Sequence, residues 1–270
     1  MGEKYIIFGT GASAAKDYDS LNTVVSCALE HGIRGFDTAP SYGVEGILSK
    51  IIYENLPRIG LEREDIIIQT KIDGWQMMDG HIQQFVDETL RKMNIQYIDH
   101  LLIHWPFPEY FDDTWSSFEF LKKYGKVKKI GICNVRIRHL REYENKGLKP
   151  DIIQIERNPL RTCEREVEFC NQHNIELQAY SPLCKMDKRI AESTILKKIS
   201  EKYQKNIGQI VLRWHLDTGA NPIFTSTKKE RVIQYTELED FSLTEKDILQ
   251  ISALNMNYKY YLESCLCPGI

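Results

Sequence analysis

The sequence predicts an α/β protein, a single-domain (β/α)8 TIM barrel over residues 1–270. Three observations lead there. Eight short apolar runs of strand length alternate with longer segments of helical periodicity. Strands joined through helices run parallel, and eight right-handed units of this kind close naturally into a barrel. No Pro/Gly/Ser-rich linker or low-complexity stretch divides the 270 residues, a length that single barrels commonly have. The competing arrangement is an open doubly-wound sheet.

The first strand is Tyr5-Ile6-Ile7-Phe8, and Gly9-Thr10-Gly11 reads as the turn after it. A dinucleotide fingerprint is incomplete here because position 14 is alanine. Residues 21–30 place Leu21, Val24, Val25, Ala28 and Leu29 at helical spacing. Gly35-Phe36-Asp37 is the second strand, followed by a helix over 46–53 with Ile47, Leu48, Ile51 and Ile52 on one face. Residues 66–70 form the third strand and 82–93 its helix, 98–104 the fourth strand and 114–124 its helix. The fifth, sixth and seventh strands are 129–132, 152–155 and 176–179, with helices expected over 138–145 and 164–173. A longer connection, 194–216, holds two periodic pieces split near Lys205-Asn206. Residues 221–224 are the eighth strand, and a late helix starts at 242–245 with Thr244 as N-cap before Asp247.

Composition narrows the function. The net charge of −3 and pI near 6.2 argue against a dedicated nucleic-acid binder. The basic run 122–129 spans a helix end, a glycine cap and a strand start, where cations suit the helix dipole. Seven cysteines, at 27, 133, 163, 170, 184, 265 and 267, have no disulfide or zinc spacing and read as reduced thiols of a cytoplasmic protein. Cys265-Leu266-Cys267 is the close pair among them. The chain enters a strand almost at once, so no signal peptide is expected, and no apolar run is long enough for a membrane span. Neither His-x-x-x-His nor a carboxylate cluster of metal-ligand type occurs, so no metal is expected.

Four polar residues stand at or just past the ends of apolar runs: Asp37, Tyr42, Lys71 and His104. In a barrel, the C-terminal strand ends form the active-site face, so these side chains would meet. An acid, a base, a phenol and an imidazole in one cluster suit proton transfer. A phenol with a reference pKa of about 10 donates poorly at neutral pH; an ammonium beside it lowers that value, and Lys71, held by Asp37, could supply the charge. Singly each residue has an ordinary reading: a surface tyrosine, a solvated lysine, a helix-capping aspartate, a core histidine. Together the ordinary account needs four coincidences.

These residues resemble the aldo-keto reductase family. The stretch Gly35-Phe36-Asp37-Thr38-Ala39-Pro40-Ser41-Tyr42-Gly43 is similar to one family signature, and the run from Leu90 through Tyr97-Ile98-Asp99 to Leu102-Ile103-His104-Trp105-Pro106 to another. Lys71 after Thr70 fits the catalytic lysine. The resemblance implies a catalytic set of Asp37, Tyr42, Lys71 and His104, with Tyr42 as general acid. It also implies a nicotinamide cofactor, NADPH with NADH as the alternative, touched by Thr10, Gly11, Asp37, Cys133, Asn134, Gln154, Tyr180, Ser181, Leu183, Thr225, Ser226 and Arg231. Tyr180 would stack on the nicotinamide. Cys133 replaces a usual serine, and a thiol is the weaker donor. Arg157-Asn158-Pro159 replaces the common aromatic-His-Pro, and Phe224 and Thr225 stand where many members carry proline and lysine. Tyr42, Trp75, His104 and Trp105 would line the substrate pocket, and the tail after Leu254, with Tyr258, Tyr260 and Tyr261, would help shape it.

The resulting expectation is an NAD(P)H-dependent oxidoreductase that reduces an aldehyde, ketone or sugar carbonyl, with a small-molecule substrate and no nucleic-acid or membrane partner. The alternative is a nucleotide-binding regulatory subunit with the same barrel and little turnover. A barrel hydrolase or isomerase would not need Tyr180 or Gln154. Thr225→Lys is expected to raise affinity for NADPH relative to NADH, because a lysine there offers a point charge to the 2′-phosphate. Parallel fluorescence titrations check it; an unchanged ratio means that the turn lies elsewhere.

Overall fold

Eight parallel strands close on themselves in sequence order in a computed structural model that describes residues 4–11 and 14–261. The strands are β1 (Ile7–Gly9), β2 (Gly35–Asp37), β3 (Ile67–Ile72), β4 (Ile98–Ile103), β5 (Val127–Cys133), β6 (Ile152–Glu156), β7 (Glu176–Tyr180) and β8 (Ala220–Phe224). Pairing of Phe8 with Phe224 joins the last strand to the first, so the open sheet is excluded. All eight expected strands are present. The third runs on to Ile72, which places Lys71 within the strand and not at its end.

The helices are α1 (Tyr18–Glu30), α2 (Glu45–Ile59), α3 (Gly74–Asp79), α4 (Ile82–Met93), α5 (Pro108–Lys123), α6 (Ile137–Asn145), α7 (Glu164–Gln172), α8 (Lys188–Ala191), α9 (Thr194–Tyr203), α10 (Ile207–Asp217), α11 (Lys229–Thr236) and α12 (Glu245–Ser252). Caps set several starts. The Asp17 carboxylate accepts from Ser20 N, Asn206 and Gln209 form a reciprocal box, and the Thr244 hydroxyl accepts from Asp247 N. The break at Lys205-Asn206 falls where Gln204 takes a left-handed conformation. Several boundaries differ from the sequence reading, and two of the helices extend further than expected across a proline. Pro108 opens α5 six residues before the expected start, where its missing N–H costs nothing. Pro57 lies inside the last turn of α2.

Apolar burial is concentrated between the strands and the helical ring, where Phe8, Phe36, Phe118 and Phe224 are fully enclosed. Inside the barrel, polar side chains stand beside a small apolar cluster of Leu102, Cys133 and Ile152. Gln69, Gln154 and Gln178 interlock: Gln69 Nε2 and Gln154 Nε2 donate to Gln178 Oε1 at 2.8 and 3.1 Å, and Gln178 Nε2 returns a bond to Gln69 Oε1 at 2.9 Å. Below them Glu176 accepts from Tyr5 Oη, Gln178 Nε2 and Asn221 Nδ2. Burial opposes its charge, but His100 and these donors outweigh that and bring its pKa to about 2.

Four lysines of the basic run are engaged in ion pairs. Lys122 pairs with Asp151, Lys126 with Asp87, Lys128 with Asp99 and Lys129 with Glu176. Cys27, Cys133, Cys170 and Cys184 are buried free thiols and Cys163 is half-buried; Cys265 and Cys267 lie outside the described residues. Among the described residues no helix is long and apolar enough to cross a membrane, and no group of three or more His, Cys, Asp or Glu side chains is placed to hold a metal.

Gly131 marks the tightest strand contact. A Cβ there would sit 2.4 Å from the Ile152 carbonyl oxygen and 2.5 Å from Leu102 Cδ2. Gly131→Ala is expected to destabilise the protein by about 1–3 kcal/mol through overpacking. Urea denaturation checks it, and an unchanged midpoint overturns the contact.

Candidate active site

The cluster grows from strand register. Asp37 pairs with Gln69 across β2 and β3, and Lys71 lies two residues further along β3. Residues two apart share a face of a strand, so Gln69 and Lys71 both point at the Asp37 carboxylate. Lys71 Nζ donates to Asp37 Oδ1 and Oδ2 at 2.8 Å each and to the Thr38 carbonyl at 2.8 Å, which uses its three protons. Gln69 Nε2 and Gln154 Nε2 add bonds of 2.6 and 3.2 Å to Asp37 Oδ2. The ion pair is sealed from solvent, with Lys71 1% and Asp37 4% exposed. Burial disfavours the ammonium, but the adjoining carboxylate outweighs it and holds the Lys71 pKa above its usual value.

Tyr42 arrives on a short 3-10 turn, Pro40–Tyr42, which ends at Gly43 with φ 74°. Its ring lies over the ion pair, with Lys71 Nζ 5.0 Å from the ring centre. His104 follows β4, where its backbone N–H donates to Ile72 O at 2.9 Å. The rings of Tyr42 and His104 meet edge to face, and Tyr42 Oη lies 3.4 Å from His104 Nε2. All four expected residues therefore converge. The electrostatic expectation for Tyr42 is corrected: burial raises its pKa to about 12 and outweighs the lowering by Lys71, because the ammonium is already matched by Asp37. Burial likewise lowers the pKa of His104, against a hydrogen bond from its Nδ1 to Asp73 Oδ1.

The residues expected to meet a nicotinamide adjoin this cluster. Thr10 N and Oγ1 both donate to Asp37 O, at 2.9 and 3.0 Å, and a Cβ on Gly11 would stand 3.7 Å from the Tyr42 ring. Asn134 Nδ2 donates to His104 O at 2.8 Å, and Asn134 Oδ1 accepts from Tyr180 Oη at 2.6 Å. A primary amide has two N–H groups and two lone-pair directions. Those single bonds leave Asn134 one of each for an incoming carboxamide, so the residues fit such a group. Ser181 continues from Tyr180 in a left-handed conformation, φ 48°, and Leu183 packs against the two apolar clusters beyond it. Cys133 is fully buried beside Leu102 and Ile152, and burial raises its thiol pKa.

The remaining expected residues are spread further. Thr225 Oγ1 donates to Gly9 O at 3.0 Å, which brings the end of β8 beside the Thr10-Gly11 turn. The buried Ser226 hydroxyl bonds the Lys228 backbone, and Arg231 is exposed on α11. Trp105 lies beside His104, their ring centres 6.3 Å apart. Trp75, 57% exposed on α3, meets Phe85 of α4 edge-on.

Sequence reasoning missed Lys16 and Asp73, and noted Glu156 without a role. Lys16 Nζ donates to Thr10 O and Gly11 O and lies 5.6 Å from the Tyr42 ring centre. Buried Glu156 accepts from Tyr260 N and Tyr261 N at 2.8 and 3.0 Å, which sets Tyr261 edge-on to Tyr180 and brings the tail to the site. Asp73, two residues past Lys71, was not singled out. Its position two residues on along the same strand path was the available signal.

Comparison with known proteins gives a consistent picture. A model described as "Aldo/keto reductase family" matches residues 5–256. A glyoxal reductase of Bacillus subtilis is 32% identical over 251 residues, 92% of this chain and 88% of that protein. A methylglyoxal reductase of Escherichia coli K12 is 33% identical over 237 residues, 86% and 84% of the two chains. The crystal structure of a Bombyx mori aldo-keto reductase in complex with NADP superposes with a TM-score of 0.87 at 29% identity, covering 96% of this chain and 92% of that one.

Lys71→Met is expected to destabilise the fold by about 3–5 kcal/mol, because it strands a buried carboxylate. Adding Asp37→Asn should recover part of the loss. Denaturant titration of both variants checks this, and equal stability of wild type and Lys71→Met would overturn the buried pair.

Proposed function

The chain belongs to the aldo/keto reductase family, and from that premise we propose that it is an NADPH-dependent reductase of small aldehydes and ketones, with α-dicarbonyls such as methylglyoxal as the class to test first. The observation that carries the reading is Tyr42 poised over the sealed Lys71–Asp37 pair, its hydroxyl 3.4 Å from His104. Relatives named glyoxal and methylglyoxal reductase support the substrate class, and the NADP-bound neighbour supports the cofactor.

Bound NADPH supplies the hydride. Tyr42 then gives its hydroxyl proton to the substrate oxygen as negative charge develops there. A general acid must start protonated, and a pKa near 12 keeps Tyr42 so at neutral pH. The phenolate left behind faces the Lys71 ammonium. Asp37 keeps Lys71 charged and still. Asn134 would offer its free amide N–H and oxygen lone pair to the nicotinamide carboxamide and Gln154 its carbonyl oxygen, since both Gln154 N–H groups go to Asp37 and Gln178, and Tyr180 would offer a ring face. At the far end the exposed cations Lys228, Lys229 and Arg231 gather near the start of α11, where a 2′-phosphate would find counter-charge although Thr225 carries none. Trp105 walls the substrate side beside His104.

NADPH consumption with methylglyoxal is the direct test. Wild type should turn over, and Tyr42→Phe should lose at least about a hundredfold in kcat while binding NADPH nearly as tightly. Full activity in Tyr42→Phe removes Tyr42 as the acid. Absence of NADPH binding in wild type overturns the whole reading.

A further inference from the structure

Asp73 makes contacts that a helix-capping residue does not need. It stands between β3 and α3, 6% exposed. Its Oδ1 takes a hydrogen bond from His104 Nδ1, with which it forms a close pair. The same oxygen accepts from Ser41 Oγ at 3.1 Å, and Oδ2 accepts from Ser41 N at 2.8 Å. Ser41 is the residue before Tyr42 in the Pro40–Tyr42 turn. Gln76 Oε1 in turn accepts from Asp73 N at 2.9 Å and fixes the backbone beneath the carboxylate. One side chain therefore joins the turn that carries Tyr42 to the ring of His104.

We infer that Asp73 is a positioning residue of this site, whose carboxylate sets His104 in the Nδ1–H tautomer and ties that ring to the Tyr42 turn. The chemistry is direct. An ionised carboxylate only accepts, so the ring nitrogen facing it carries the proton. In the neutral imidazole the other nitrogen is then an acceptor, and here it is Nε2, 3.4 Å from Tyr42 Oη. Neutral His104 thus presents a lone pair, not a proton, to the reaction side. Of the two groups, Tyr42 is the donor available to a substrate oxygen. His104 holds the Tyr42 hydroxyl in place until that oxygen arrives.

The kinetic consequence rests on the reductase reading; the tautomer does not. Long-range 1H–15N correlation spectra of the labelled protein, with His104 assigned by its loss in His104→Asn, read the tautomer without turnover. The wild type should show a protonated Nδ1 and an unprotonated Nε2 near neutral pH. In Asp73→Leu the ring should move to Nε2–H or to a mixture, with kcat for methylglyoxal down roughly tenfold or more and NADPH affinity within about twofold of wild type. Asp73→Asn, which keeps an acceptor oxygen, should fall between. NADPH binding reports that the variants are folded, and if Asp73→Leu does not fold, the wild-type spectrum and Asp73→Asn decide. An Nε2–H tautomer in the wild type overturns the inference, as does Asp73→Leu with wild-type spectrum and kcat. A wild type that binds no NADPH but shows the Nδ1–H tautomer removes the reductase reading and leaves the assignment of Asp73 standing.

Discussion

The buried Lys71–Asp37 ion pair is the constraint from which the rest of this site follows. A charge pair without water is stable only when every proton and lone pair is used. Three protons of Lys71 go to Asp37 and Thr38 O, and Asp37 takes further bonds from Gln69 and Gln154. Satisfying that carboxylate demands polar neighbours inside the barrel. Those neighbours are amides that need partners of their own, so Gln178 and then Glu176 are drawn in below. The polar column along the barrel axis is thus the cost of placing one ammonium under Tyr42.

The same arrangement suits the acid role proposed for Tyr42. Partial burial keeps the phenol neutral, while the ammonium beneath it is in place before any negative charge develops. Such preorganised charge needs no rearrangement at the moment of reaction. The support also reaches outward. Asp73 links the turn of Tyr42 to His104, and Asn134 links His104 to Tyr180, so the reacting side and the expected nicotinamide side are braced by one continuous set of hydrogen bonds. Rigid strand ends supply the framework, and short loops carry the groups that touch ligands.

Much of this was legible in the chain because barrel strands advertise themselves. Continuous apolar runs such as Leu101-Leu102-Ile103 are buried on both faces, and an ionisable residue at their ends stands out against them. Asp37, Tyr42, Lys71 and His104 were found on that contrast. Asp73 and Lys16 were not, because what each one bonds is settled only by folding; Glu156 does end an apolar run, that of β6, but its partners in the tail lie 104 and 105 residues away. The same holds for α3, whose Gly74-Trp75 start looks like loop: a Cβ at Gly74 would lie 2.3 Å from Phe107, a neighbour 33 positions away.

The sequence by itself determined the alternation of strands and helices, the single barrel and the four residues that meet at its mouth, since periodicity and apolar runs are local properties and closure follows from handed crossovers. Tertiary structure alone decided how those residues are charged and oriented. Whether Tyr42 sits above or below its usual pKa depends on burial weighed against Lys71 and Asp37, and which nitrogen His104 offers depends on Asp73. Both are sums over neighbours brought together from different strands, and no stretch of sequence contains such a sum.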